Sequence, residues 1–171
     1  LAASHEIAAR WRETLDRITE LNPALRVWFT VSPVRHLSDG AHANQVSKAH
    51  LLLAAEELLN HPSVGGYFPA YEIFMDDLRD YRYYAADMVH PSETAIDYIW
   101  EKFSSVFIDS PTLRLWNEAA RITRAMAHRI AGDKQETAHF ASAMLDRINE
   151  LRVKAPFIDL ASEEAYFRGL L

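Results

Sequence analysis

The sequence predicts an α/β fold with about two parallel strands, followed by an antiparallel helical hairpin. Two short, almost continuously apolar runs, LRVWFTV at 25–31 and YFPAYEIFM at 67–75, have the character of strands buried on both faces. Helical repeats flank them, giving the order helix–strand–helix–strand–helix of an α/β domain. Beyond residue 108 only helical periodicity persists. The expected organisation is an α/β part over 1–108 and a helical extension over 109–171, packed on or beside it.

Ser4 to Glu20 carries Ile7, Trp11, Leu15 and Ile18 at helical spacing, with Ser4 as a candidate cap and Asn22-Pro23 as the stop. The first strand, 25–31, ends at Ser32-Pro33. A helix over Asn44–Asn60 is apolar around more than half its circumference, as a helix packed on two sides would be. His61 to Gly66 reads as a turn-rich link before the second strand. Pro69 inside that strand cannot donate to a ladder, which makes its neighbourhood an edge, a bulge or extended chain. Asp76 to His90 is polar, aromatic-rich and without a period. Pro91-Ser92 opens a helix with Ile96, Ile99, Trp100, Phe103, Val106 and Phe107 on one stripe. Ser110-Pro111 opens a further helix running to about Gly132, and Lys134–Arg152 returns alongside it. Ser162–Leu170 reads as a short terminal helix.

The chain has 171 residues, a formal net charge of -6 and no cysteine. The first is enough for a real core. The second disfavours a general nucleic-acid binder, which needs clustered Lys and Arg. The third excludes disulfides, Cys-ligated zinc and a Cys nucleophile. No apolar run is long enough to cross a bilayer, and the start does not look like a signal peptide. No nucleic acid and no membrane is expected as a partner, and the expected compartment is the cytoplasm. Two strands make a poor parallel sheet by themselves. Together with Leu as the first residue, this leads to the expectation that a missing N-terminal half of the same domain supplies further strands.

In open α/β sheets, ligands bind beyond the carboxyl ends of the strands. Two segments sit there: Thr30 to His36, and the loop from Asp76 to His90. Within the second, Asp87-Met88-Val89-His90-Pro91-Ser92 is the sharpest feature. An Asp and a His at this spacing on a turn can place a carboxylate against one ring nitrogen, leaving the other free as a general base. Pro91 holds His90 in extended backbone, and Ser92 can cap the helix behind it. By itself Asp-x-x-His is a common spacing, equally explained as a surface-loop pair.

A nucleophile for this base is missing. None of the eleven serines lies in a Gly-x-Ser-x-Gly elbow or a Gly-Asp-Ser start. Ser32 follows a buried strand, but its neighbour Pro33 has no N–H to give an oxyanion hole. Ser32 is more simply a strand terminator. Arg35 and His36 are candidates to bind a substrate carboxylate or to support the Asp87 loop. Asp76, Asp77 and Asp80 are interleaved with Arg79 and Arg82, a pattern of mutual salt bridges more than of a cation loop. His42 and His50 lie two helical turns apart, too far to share a zinc ion. No metal and no cofactor is expected.

The runs TVSPVRHLSDGAHANQVSKAHLLLAAEELL and YFPAYEIFMDDLRDYRYYAADMVHPSETAIDYIWEKF closely resemble the C-terminal half of GSCFA-domain proteins, which belong to the SGNH-like hydrolases. The resemblance covers about Val27 to Phe103; beyond Phe107 only a general helical character matches. It implies a flavodoxin-like three-layer α/β/α core, incomplete here. It also implies a serine nucleophile near the N-terminus, in the Gly-Ser-Cys-Phe-Ala motif that this chain lacks, and an Asp-x-x-His corresponding to Asp87 and His90. Ser32, Arg35 and His36 fall within a matching run, as do Tyr71 and Glu72, and these five are candidates for substrate binding or site support. The implied function is the C-terminal portion of a serine acyl esterase acting on a small-molecule or glycan ester. The alternatives are an acyltransferase with the same triad, or a non-catalytic glycan- or partner-binding module built on the helical hairpin.

Overall fold

The structure, a computed structural model, describes residues 2–38, 40–127 and 133–171. Among the described residues it is a mostly helical α/β protein with seven α-helices and one two-stranded parallel sheet. The order is α1 (Ser4–Leu21), β1 (Val27–Thr30), α2 (Gly40–Leu58), β2 (Val64–Phe68), α3 (Ala70–Asp76), a 3-10 turn (Tyr81–Tyr83), α4 (Glu93–Phe107), α5 (Ser110–Ala127), α6 (Lys134–Lys154) and α7 (Ala161–Arg168). The chain divides into two compact units, Leu1–Phe103 and Ser104–Leu171, and the division falls inside α4.

In the first unit, β1 and β2 pair in parallel across the crossover helix α2. Ala8 and Leu15 of α1 and Ala54 and Leu58 of α2 bury themselves together, with Val27, Phe29 and Val64 packed against them. Alternation along β1 thus sends Val27 and Phe29 to the helices, and Trp11 meets the Phe29 ring edge-on at 5.1 Å. A second cluster joins Phe74 and Leu78, at and after α3, to Ala95 of α4. It anchors both ends of the loop that leads to His90.

Three expectations are corrected. The apolar run 67–75 is not one strand. β2 ends at Phe68 and α3 begins at Ala70, because Pro69 has no N–H for the ladder yet is tolerated at a helix entrance. Ala70 and Phe74 then bury one helical face. The second correction concerns Gly65 and Gly66, which lie in β2 and not in the link before it. The third is the cap of α1: it is the Glu6 carboxylate accepting from the Ala3 N–H at 2.9 Å, with no part played by the Ser4 hydroxyl.

The other face of the sheet carries Trp28 and Thr30, both exposed. The pairing skips Gly65, so β2 bulges there, and the Trp28 indole lies across the bulge. A Cβ on Gly65 would stand 2.4 Å from Trp28 Nε1, and one on Gly66 2.4 Å from Trp28 Cζ3. Beside this surface runs an apolar groove of about 540 Å³, walled by Trp28 and Val34 on one side and by Ile96, Trp100 and Phe103 of α4 on the other.

In the second unit, α5, α6 and α7 enclose Ile122, Met144, Ile148, Leu151 and Phe167. Lys154 at the end of α6 bonds Glu118 in the middle of α5 at 3.1 Å. The expected stop at Gly132 lies outside the described residues. Asp133 caps α6, accepting from the Glu136 N–H at 2.9 Å. The exposed side of α6 is polar, with Asp146, Arg147, Glu150 and Arg152. Val153 is an apolar exception there, so α6 offers no apolar stripe for a partner.

Replacing Gly65 by Ala should displace the indole and cost about 1–3 kcal/mol, the usual range for overpacking. In a Trp28→Ala background the same change should cost much less. A double-mutant cycle by urea unfolding measures the difference.

Candidate active site

The segment from Tyr83 to Ser92 folds back on itself. Tyr84 and Pro91 form an antiparallel bridge, Ser92 N–H donates to the Tyr83 carbonyl at 2.7 Å, and Ala85 N–H donates to the His90 carbonyl at 2.8 Å. Ser92 then precedes α4, its Oγ 3.4 Å from the Ala95 N–H. His90 therefore stands at a bend, directly before the bridge residue Pro91 and three residues before α4.

At the tip, the Asp87 side chain takes over the bonding that a ladder would supply. Its Oδ1 accepts from the backbone N–H of Val89 at 2.9 Å and of His90 at 3.0 Å. Its Oδ2 lies 2.6 Å from His90 Nδ1. These bonds hold the Asp87 carboxyl at about 2, below its ordinary value; the His90 backbone N–H is the largest cause, then the His90 ring, then the Val89 N–H. The ionised carboxylate is an acceptor only, so Nδ1 carries the proton of the contact and Nε2 is the bare nitrogen of the neutral ring. Nε2 has no hydrogen bond among the described residues. Both side chains are open to water, His90 at 61% and Asp87 at 49%, and His90 borders the apolar groove. Closing the turn forces Met88 to φ +60°, the left-handed region that side-chain-bearing residues avoid.

The segment after β1 reaches this turn. Arg35 N–H donates to the Val89 carbonyl and Arg35 Nη1 to the Met88 carbonyl, each at 3.1 Å. The guanidinium lies 3.7 Å from the centre of the Tyr84 ring. The other candidates do different things. Ser32 lies two residues beyond the end of β1; its Oγ accepts from the Val34 N–H at 3.2 Å, and its carbonyl accepts from Lys48 Nζ. The His36 ring faces the Ser38 hydroxyl at 2.9 Å, and its backbone N–H donates to Asn44 at 2.8 Å. Tyr71 OH donates to Gln45 at 2.9 Å, and Glu72 accepts from Tyr67 OH at 3.0 Å. Burial first, then Glu72, raises the Tyr67 phenol; burial first, then Tyr84, raises Tyr71.

Lys48, absent from the sequence candidates, is buried, with its ammonium 5.8 Å from the centre of the Tyr71 ring and its pKa lowered by desolvation. Its signal was a single Lys inside the apolar stretch 46–55. Of the acidic run, Asp76 pairs with Arg79, Asp80 pairs with Arg82, and Asp77 accepts from Tyr98. Among the described residues no three acidic or histidine side chains gather as a metal site would require. No helix among them is long and apolar enough to cross a membrane.

Because folding lowers the Asp87 pKa from 3.8 to about 2, its contribution to stability is present above pH 4. It disappears as the pH falls from about 4 toward 2. Asp87→Asn should therefore flatten the stability–pH curve in that window, measured by urea midpoints at successive pH values. At Met88, Val should destabilise by about 1–2 kcal/mol, since a β-branched residue resists positive φ. Gly should stay within about 1 kcal/mol of wild type, because relief of strain offsets the added freedom of the unfolded chain. The same urea assay at neutral pH tests both.

Comparison with known proteins gives one family match: the family model of the GSCFA family covers residues 1–103. It reaches further toward the N-terminus than the motif runs, taking in α1. No curated protein and no solved structure matches the chain. With more than half its length matched, the chain belongs to the GSCFA family.

Proposed function

We propose that this chain supplies the acid–base half of a serine acyl esterase, with the nucleophilic serine outside residues 1–171. The observation that carries the reading is the 2.6 Å contact of Asp87 Oδ2 with His90 Nδ1, in a turn whose other carboxylate oxygen is already held by two backbone N–H groups. A carboxylate fixed in this way sets the tautomer of the ring and stabilises its protonated form. Nε2 then takes the proton of an attacking serine hydroxyl as the ester carbonyl becomes tetrahedral. The same nitrogen returns the proton to the departing alcohol, and water releases the acyl group by the reverse sequence. Among the described residues no serine hydroxyl bonds Nε2, so the reading requires a nucleophile from elsewhere. The substrate class is a small-molecule or glycan ester.

The test compares this chain with a protein that also carries the upstream serine segment of the family. The chain alone should leave an aryl acetate intact. In the longer protein, His90→Ala should lower kcat by about 10³-fold or more, and Asp87→Asn by about 10²–10⁴-fold. Undiminished hydrolysis in the His90 variant removes the assignment.

A further inference from the structure

Among the described residues, Arg35 is the residue from outside the Asp87–His90 turn that hydrogen-bonds its backbone. Within the turn, the N–H groups of Val89 and His90 go to Asp87, and the Met88 N–H goes to the Ala85 carbonyl at 2.9 Å. Two carbonyls, of Met88 and Val89, face away from these bonds. Arg35 takes both, the first through its side chain and the second through its backbone. Its guanidinium carbon lies over the Tyr84 ring, 3.7 Å from the centre, so the side chain is held from a second side, and Tyr84 is itself the residue bridged to Pro91. The Met88 carbonyl belongs to the one non-glycine residue with positive φ among the described residues. A conformation of that kind persists only when its surroundings over-determine it.

We infer that Arg35 is the positioning residue of the Asp87–His90 pair: by binding the Met88 and Val89 carbonyls and stacking on Tyr84, it holds the left-handed turn that presents the carboxylate to the ring. Arg35 touches neither reacting group and acts through the backbone between them. The main-chain bond to Val89 survives any substitution at 35 except proline, whereas the bond to Met88 and the contact with Tyr84 are lost with the side chain. Lysine can offer one donor to the Met88 carbonyl and keeps the positive charge, but it has no plane to lie on Tyr84. The inference rests on reading Asp87 and His90 as an orienting pair, and on nothing about the ester.

The experiment is nuclear magnetic resonance of this 171-residue chain, following the Asp87 carboxyl carbon and the two His90 ring nitrogens through a pH titration. In the wild type, the carboxyl should titrate near 2 and the neutral ring should carry its proton on Nδ1. Arg35→Ala should move the carboxyl midpoint upward, toward the ordinary value of about 3.9, and should give a mixture of ring tautomers. Amide signal changes should be confined to residues 84–91 and the 35 region. Arg35→Lys should fall between the two, which a purely electrostatic effect of the cation would not produce. If the Ala variant does not fold, the Lys variant alone decides: a wild-type midpoint and tautomer there overturn the inference. Wild-type behaviour in a folded Ala variant overturns it too, as does a loss of structure spread evenly over residues 1–103. The esterase reading fails separately, by hydrolysis that survives His90→Ala, and that result leaves these spectral shifts unaffected.

Discussion

The turn between Tyr84 and Pro91 depends on the division of labour between the two oxygens of Asp87. One oxygen satisfies the backbone of a turn too tight to satisfy itself; the other holds an imidazole. A carboxylate that did only the second would be one ion pair between exposed side chains, worth little in water and free to swing. The backbone bonds remove that freedom before the ring is engaged. The same bonds account for the low pKa of Asp87, so acidity and geometry have one cause. The cost is a left-handed Met88, and the loop after β1 meets that cost from outside the turn.

The rest of the first unit places these two loops side by side. A parallel pair of strands joined by α2 puts both strand ends at the same edge, so the residues after Thr30 and the residues after α3 share one region. Phe74 and Leu78 fix the near end of the second loop, and Ala95 fixes the far end. Beneath, Lys48, Tyr71, Gln45, Tyr67 and Glu72 form a polar seam in which the named polar groups pair with one another or with a backbone carbonyl. Tyr71 and Glu72 thus serve the packing of α3 on α2 and β2.

What could be read from the chain was whatever periodicity and short-range spacing encode. The amphipathic helices, the presence of the first strand and the Asp87–His90 pairing belong to this class, since each is settled within a few residues of itself; the expected burial of that strand on both faces does not hold, because Trp28 and Thr30 are exposed. What could not be read depends on partners distant in sequence. Gly65 and Gly66 carry the local signature of a turn, and only the Trp28 indole, met across the sheet, makes them strand residues. The apolar run through Pro69 has strand composition, yet burial of Phe74 against Leu78 and Ala95 makes its second half a helix. Arg35 could be read only as a candidate for a substrate carboxylate or for support of the Asp87 loop, because its two carbonyl partners lie more than fifty positions away. Met88 gave no sign at all: methionine has no preference for the left-handed region, and the turn imposes it.

The indole of Trp28 has one more consequence. It lies on the sheet face that α1 and α2 leave open, at about half exposure, and it lines the apolar groove together with Trp100. Two of the four tryptophans in the chain therefore report on the same surface. Their emission is red-shifted while water reaches them, and it moves to shorter wavelength when an apolar neighbour excludes that water. The fold thus carries its own unlabelled optical gauge of whatever comes to cover that face, be it a strand, a helix or a ligand.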